Sequence, residues 1–155
     1  MFKMEKVNYR EADINDLDIL LEFEQGIIEY ERRFDTNLKD YTTYYPLKDM
    51  LLDPDIAIKV ATVNDEIIGS GYAKIKDAKP YHKNTKYIYL GFMFLKPNYR
   101  GLGIIQQLIE ELKVWAKSKK ILELRLEVYS DNAPAIKAYE KSGFKKHMVE
   151  MKLYI

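Results

Sequence analysis

The chain has 155 residues, 47% of them hydrophobic, enough for one domain with a substantial core. Its 25 basic and 24 acidic residues nearly cancel, so no bulk field draws it to nucleic acid or to a membrane surface. The absence of cysteine excludes disulfides, thiol catalysis and thiolate metal sites, and His82 and His147 lie too far apart in sequence to suggest a metal centre.

Residues 1–6 lack the apolar run of an export signal, and no segment is long enough to span a bilayer, so a cytoplasmic setting is expected. Residues 7–10 read as a short first strand. Asp13 to Asp16 offer N-cap candidates for an amphipathic helix carrying Ile14, Leu17, Leu20, Leu21, Glu24, Ile27 and Ile28 and fading near Arg33. Residues 35–45 mix Asp, Asn, Thr and three tyrosines without periodicity and read as a loop. Pro46 suits the first turn of a short helix through Leu52. Residues 56–63 and 67–75, separated by Asn64-Asp65-Glu66, form a hairpin pattern, and Gly69 and Gly71 in its second strand suggest a bulge or a close backbone approach. After a polar loop over 76–86, residues 87–95 are nearly all apolar, as in a strand covered on both faces.

Pro97 and the turn Arg100-Gly-Leu-Gly103 then lead directly into a helix with Ile105, Leu108, Ile109, Leu112, Trp115 and Ala116 on one face. The first amides of a helix have no intrahelical partner and carry partial positive charge. Glycines at 101 and 103 remove side chains that would hold a ligand away from them, so the turn suits a phosphate or pyrophosphate. A ligand-free tight turn is equally compatible with Gly-x-Gly alone. No Lys-Ser or Lys-Thr follows, which disfavours a Walker loop, and Gln106 stands where a dinucleotide fingerprint has its third glycine. Residues 121–128 alternate apolar and charged side chains as a strand with one core face. A helix follows from Asn132 or Ala133, with Pro134 in its first turn and Gly143 at its cap, and residues 144–155 supply one or two closing strands. The order β-α-α-β-β-β-α-β-α-β, with a further β if the last stretch is two strands, is a single α/β domain over 1–155.

Three stretches together resemble the GCN5-related N-acetyltransferases. The family's coenzyme motif, Arg/Gln-x-x-Gly-x-Gly/Ala, is similar to Arg100-Gly-Leu-Gly103-Ile-Ile105, with Ile105 in place of the final small residue. Asn132, Ala135, Tyr139 and Gly143-Phe144 resemble its second motif, and Tyr9-Arg10 to Asp16 its first strand and helix. The resemblance covers nearly the whole chain. It implies a mixed central sheet of six to seven strands flanked by about four helices, acetyl-coenzyme A as cofactor, and no metal. Main-chain groups of Met93, Phe94 and Leu95 would pair with the pantetheine arm, a role compatible with core packing of Phe94 and Leu95. Arg100, Gly101, Leu102, Gly103, Ile104, Ile105 and Gln106 would form the pyrophosphate cradle, with Asn132 and Tyr139 beside the cofactor.

Acetyl transfer to an amine requires a neutral amine and a proton for the departing thiolate. An α-amine with pKa about 8 and a lysine amine about 10.4 are mainly protonated near neutrality, so a base is needed. The resemblance makes Tyr139 the candidate acid and Glu127, directly or through a water relay, the candidate base, with Glu24 and Glu31 as further candidates. A solvated strand glutamate accounts for Glu127 equally well, and an ordinary N-cap accounts for Asn132. The acceptor pocket would draw on Glu24, Glu31, Tyr41, Tyr44, Tyr45 and Tyr81, with Tyr30, Phe34, Asp35 and His82 nearby. Aromatic walls with carboxylates suit a cationic amine, whether small molecule or peptide terminus. Two other readings stand beside this one: a non-catalytic acyl-coenzyme A-binding regulatory domain, and a nucleotide-cofactor oxidoreductase using Glu123 or Glu127. The closing strands could also pair across a homodimer.

Overall fold

The computed structural model describes residues 5–155, so residues 1–4 of the opening stretch read above lie outside it. Its strands are β1 (Val7–Glu11), β2 (Ile56–Val63), β3 (Glu66–Asp77), β4 (Lys86–Leu95) and β5 (Leu124–Arg125). Its helices are α1 (Leu17–Glu31), α2 (Leu47–Met50), α3 (Ile104–Ser118) and α4 (Ala133–Lys141), with single 3-10 turns at Ile14–Asp16 and Pro97–Tyr99. The strands form one sheet in sequence order; β1 to β4 are antiparallel and β5 joins β4 in parallel. The expected α/β architecture and element order hold as far as α4.

Local chemistry explains the boundaries. The Asp13 carboxylate caps the first turn by accepting from the Asn15 amide at 2.8 Å. Asp16 accepts from the Asp13 amide at 2.8 Å and from both terminal nitrogens of Arg10 at 2.8 and 3.0 Å, tying β1 to the entry of α1. That pairing holds the Asp16 carboxyl below its ordinary value. Asn64 and Asp65 both adopt positive φ, 49° and 65°, which matches the twist a two-residue hairpin requires. Leu20 and Phe23 of α1, with Leu47 and Met50 of α2, cover one face of the sheet over Ile58, Val60, Tyr72 and Phe92. Ile104, Leu108, Ile109, Leu112 and Ala116 of α3 cover the other, a stripe at the spacing of one helical face.

The strand count differs from expectation: the described residues contain five, not six or seven. The stretch read as a strand over 121–128 pairs over two residues only, Ile88↔Leu124 and Tyr89↔Arg125. Residues 145–155 form no strand and are exposed, because no backbone ladder receives them. Among the described residues no helix is long and apolar enough to cross a membrane, and no cluster of metal-ligating side chains occurs.

Candidate active site

The site is built where β4 loses its neighbour. The β4–β5 ladder stops at Tyr89↔Arg125, leaving residues 90–95 of β4 without a partner strand on that side. In the same stretch a bulge against β3 breaks the register between Ser70 and Tyr72. Phe92 takes φ +56° there, and the buried Ser70 hydroxyl donates to its carbonyl at 2.9 Å. A non-glycine residue at such a φ costs about 1–2 kcal/mol, so the hydrogen bond and close packing must hold the bulge in place. Gly71 permits it, since a Cβ there would lie 2.6 Å from Met93 Sδ.

Past the bulge, Leu95 packs into the α3 side of the core, while Phe94 stacks on Phe23 of α1 at 4.4 Å between centroids. The turn then reaches Gly101 and Gly103, both at φ +78°, a left-handed conformation open to glycine at little cost. Gly103 is the N-cap of α3, and no side chain caps that end. A Cβ on Gly101 would meet nothing within 4 Å, and one on Gly103 only Gln106 Oε1 at 3.9 Å. The space in front of the α3 amides is therefore open, and Arg100 and Leu102 flank it on the surface. Ile105 is half-buried and packs against the sheet, so its bulk does not stand in that space. This geometry fits a diphosphate ester with an extended, peptide-like arm: donors at one end, an unpaired strand edge at the other.

The second motif lies beside it. Asn132 is buried and its Oδ1 accepts from the Ala135 amide at 3.3 Å, so it caps α4. Tyr139 is half-buried, edge-on to Phe144 at 6.2 Å. Burial, and then the charge of Glu31, pushes its phenol up to about 12. Glu31 stands at the C-terminal end of α1. Burial raises its own carboxyl above the ordinary value. After burial and nearer groups, the Glu31 charge also contributes to raising Tyr44, Tyr45, Tyr89 and Tyr129. Tyr129 donates to Asp35 Oδ2 at 3.1 Å. Tyr45 packs edge-on to Tyr44, Tyr72 and Phe92 at 5.4–5.7 Å. Glu127 is exposed beside Tyr72 and Tyr89, adding to the burial that raises both phenols.

The structure thus brings Glu31, Tyr44, Tyr45, Glu127 and Tyr139 to one region. Tyr41 and Tyr81 lie apart from it, and Glu24 lies beneath it. Glu24 is fully buried beneath the 35–46 loop, where Oε2 accepts from the amides of Tyr44 and Tyr45 at 2.9 and 2.6 Å. Tyr41 and Tyr81 are 96% and 79% exposed and line nothing. The sequence reading did not single out Tyr72, Tyr89 or Tyr129: Tyr72 and Tyr89 fell within strands, and only the tertiary fold brings the Tyr129 hydroxyl to Asp35. Glu123, a candidate ribose acid for a nucleotide cofactor, pairs instead with Arg125 and Asn84.

Comparison with known proteins places the chain. Residues 23–144 match the Acetyltransferase (GNAT) family, and the protein belongs to it. It is 30% identical over 121 residues to a streptothricin acetyltransferase of Escherichia coli, an alignment covering 78% of this chain and 63% of that one. The chain therefore spans less than two thirds of that relative's length. The fold matches a predicted acetyltransferase of Clostridium acetobutylicum determined with acetyl-CoA (TM-score 0.73, 21% identity, 96% of each chain). It also matches an aminoglycoside 6'-N-acetyltransferase of Acinetobacter haemolyticus (TM-score 0.71, 17% identity, 96% and 99% of the two chains).

Proposed function

We propose that the protein is an acetyl-coenzyme A-dependent N-acetyltransferase that moves an acetyl group directly to a primary amine. The observation that carries this reading is the combination of three features: the free edge of β4, the uncapped amides of α3 behind Gly101 and Gly103, and Tyr139 on α4, packed edge-on to Phe144. Acetyl-coenzyme A would supply an activated acetyl group as a thioester. The amides of Ile104, Ile105 and Gln106 would hold its pyrophosphate, and main-chain groups of Met93, Phe94 and Leu95 its pantetheine arm.

Tyr139, the candidate acid, hydrogen-bonds to the leaving sulfur. Full transfer from a phenol at about 12 to a thiolate whose acid lies near 8.5 would be uphill by about 5 kcal/mol. The phenol therefore acts as a donor that stabilises developing charge, with the amine's surplus proton balancing the reaction. Glu127, directly or through water, is the base, and Glu31 holds the incoming ammonium among the tyrosines. The acceptor class is a cationic small-molecule amine, a reading supported by the carboxylates among aromatic walls and by the likeness to a streptothricin acetyltransferase.

The test is thiol release from acetyl-coenzyme A across an amine panel that includes streptothricin, aminoglycosides, polyamines, amino acids and peptides. Turnover with at least one cationic amine is expected. Tyr139→Phe should lower kcat by roughly 10²-fold or more while leaving coenzyme A affinity intact. Saturable coenzyme binding with no thiol release from any amine would instead make this a non-catalytic acyl-coenzyme A-binding domain. Glu127→Gln should move the acidic limb of the pH–rate profile; if Glu31→Gln moves it instead, Glu31 is the base.

A further inference from the structure

Most cations on the strands are neutralised in place. Arg10 pairs with Asp16, Lys59 with Glu11, Lys86 with Asp77 and Arg125 with Glu123. Lys74 and Lys76 of β3 differ: among the described residues neither forms an ion pair. Both are half-buried, and they alternate along β3 on the same face as Tyr72, the face that α1 and α2 cover further along. The ladder sets Lys74 beside Tyr89 and Lys76 beside Tyr87. Lys76 Nζ lies 4.4 Å from the centroid of the Tyr89 ring. That ring is 6.3 Å from Tyr72, which in turn is 5.5 Å from Tyr45 of the tyrosine loop. An aromatic floor therefore runs from the acceptor region to an ammonium without a counter-ion. Covering Tyr89 requires only the methylene stem, so the charge at its end is free for another task.

Resting on the N-acetyltransferase reading above, we propose that Lys76, with Lys74 beside it, binds an anionic group of the acceptor, so that the substrate is a cationic amine that also carries a carboxylate, as a basic amino acid does. The strand order β3-β4-β5 puts opposite charges on opposite sides of Tyr89. The lysines stand on β3. Glu127 lies two residues past Arg125, which pairs with Tyr89 from the other side, and its charge adds to the burial that raises the Tyr89 phenol. An acceptor lying across that ring offers its amine to a carboxylate and its own acid to an ammonium. Arg125 does not compete for this acid, because its guanidinium is stacked 4.0 Å over Tyr87 and is held by Glu123. The same lysines repel an amine that carries positive charge alone, so the discrimination works through both signs.

Thiol release from acetyl-coenzyme A with acceptors that differ by one carboxylate measures the discrimination: ornithine against putrescine, and lysine against cadaverine. In at least one pair the amino acid should have the lower KM, by about tenfold, the scale of one hydrogen bond between charged groups. Lys76→Met keeps the stem over Tyr89 and removes the charge, so it should erase that ratio, and Lys76→Arg should restore it. Equal KM values within both pairs, a lower KM for the diamines, or turnover confined to amines without a carboxylate overturns the subsite and leaves the acetyltransferase reading standing. A Lys76→Met variant that changes both members of a pair alike makes the lysine a packing residue and overturns the subsite too. Thiol release from no amine at all removes the acetyltransferase reading, and the subsite with it.

Discussion

At Glu31 the protein holds a carboxylate where burial works against its charge. Its pKa is raised in the fold, so the favourable contribution is complete below the unfolded value near 4.3–4.5 and is lost as pH rises through the folded one. At neutral pH the ionised group is therefore a cost. Glu31→Gln should raise the melting temperature at pH 7, and the gain should vanish near pH 4. Thermal scans across that range check the sign; a variant less stable at pH 7 than the parent would refute it. The same substitution should weaken a cationic acceptor. The helix that carries Glu31 was legible in the sequence because its apolar residues recur at helical spacing. Glu24 lies seven residues earlier on the same helical face, and its burial under the 35–46 loop follows from its bonds to the Tyr44 and Tyr45 amides. Pattern alone cannot tell these apart.

At the scale of elements, the β4 bulge is the feature that most depends on tertiary contacts. Gly69 and Gly71 signalled an irregularity, but nothing in the local sequence marks Phe92 for a left-handed backbone. The buried Ser70 hydroxyl is what secures it. Ser70→Ala would leave the Phe92 carbonyl without that donor, a loss of about 1–3 kcal/mol for a buried group. Denaturant titration should show that loss, and calorimetry should show weaker coenzyme A binding as the strand edge relaxes. Unchanged affinity would separate the bulge from the cofactor. The α3 turn and α4 cap were fully legible, because glycine, proline and asparagine act through their own backbone chemistry. The last strand was not, since an alternating pattern states that a segment wants a partner but not which chain supplies it.

Across the whole molecule, a net charge of +1 leaves no far-reaching field, while Glu31, Asp35 and Glu127 lie in one region. Attraction of a cationic acceptor should therefore be short in range. The KM for a doubly charged amine should rise severalfold from low salt to 0.15 M, where the screening length falls from about 30 to about 8 Å. That for a singly charged amine should rise less. A salt-independent KM for both would argue that the carboxylates do not meet the acceptor.

Glu24 grips the tyrosine loop by two main-chain amides and by no side chain of that loop. Every residue but proline presents the same N–H at positions 44 and 45, so the anchor is indifferent to what the loop displays. Side chains there can be exchanged during divergence while the backbone keeps its mooring, and a change of clientele need not disturb the half of the molecule beneath β4.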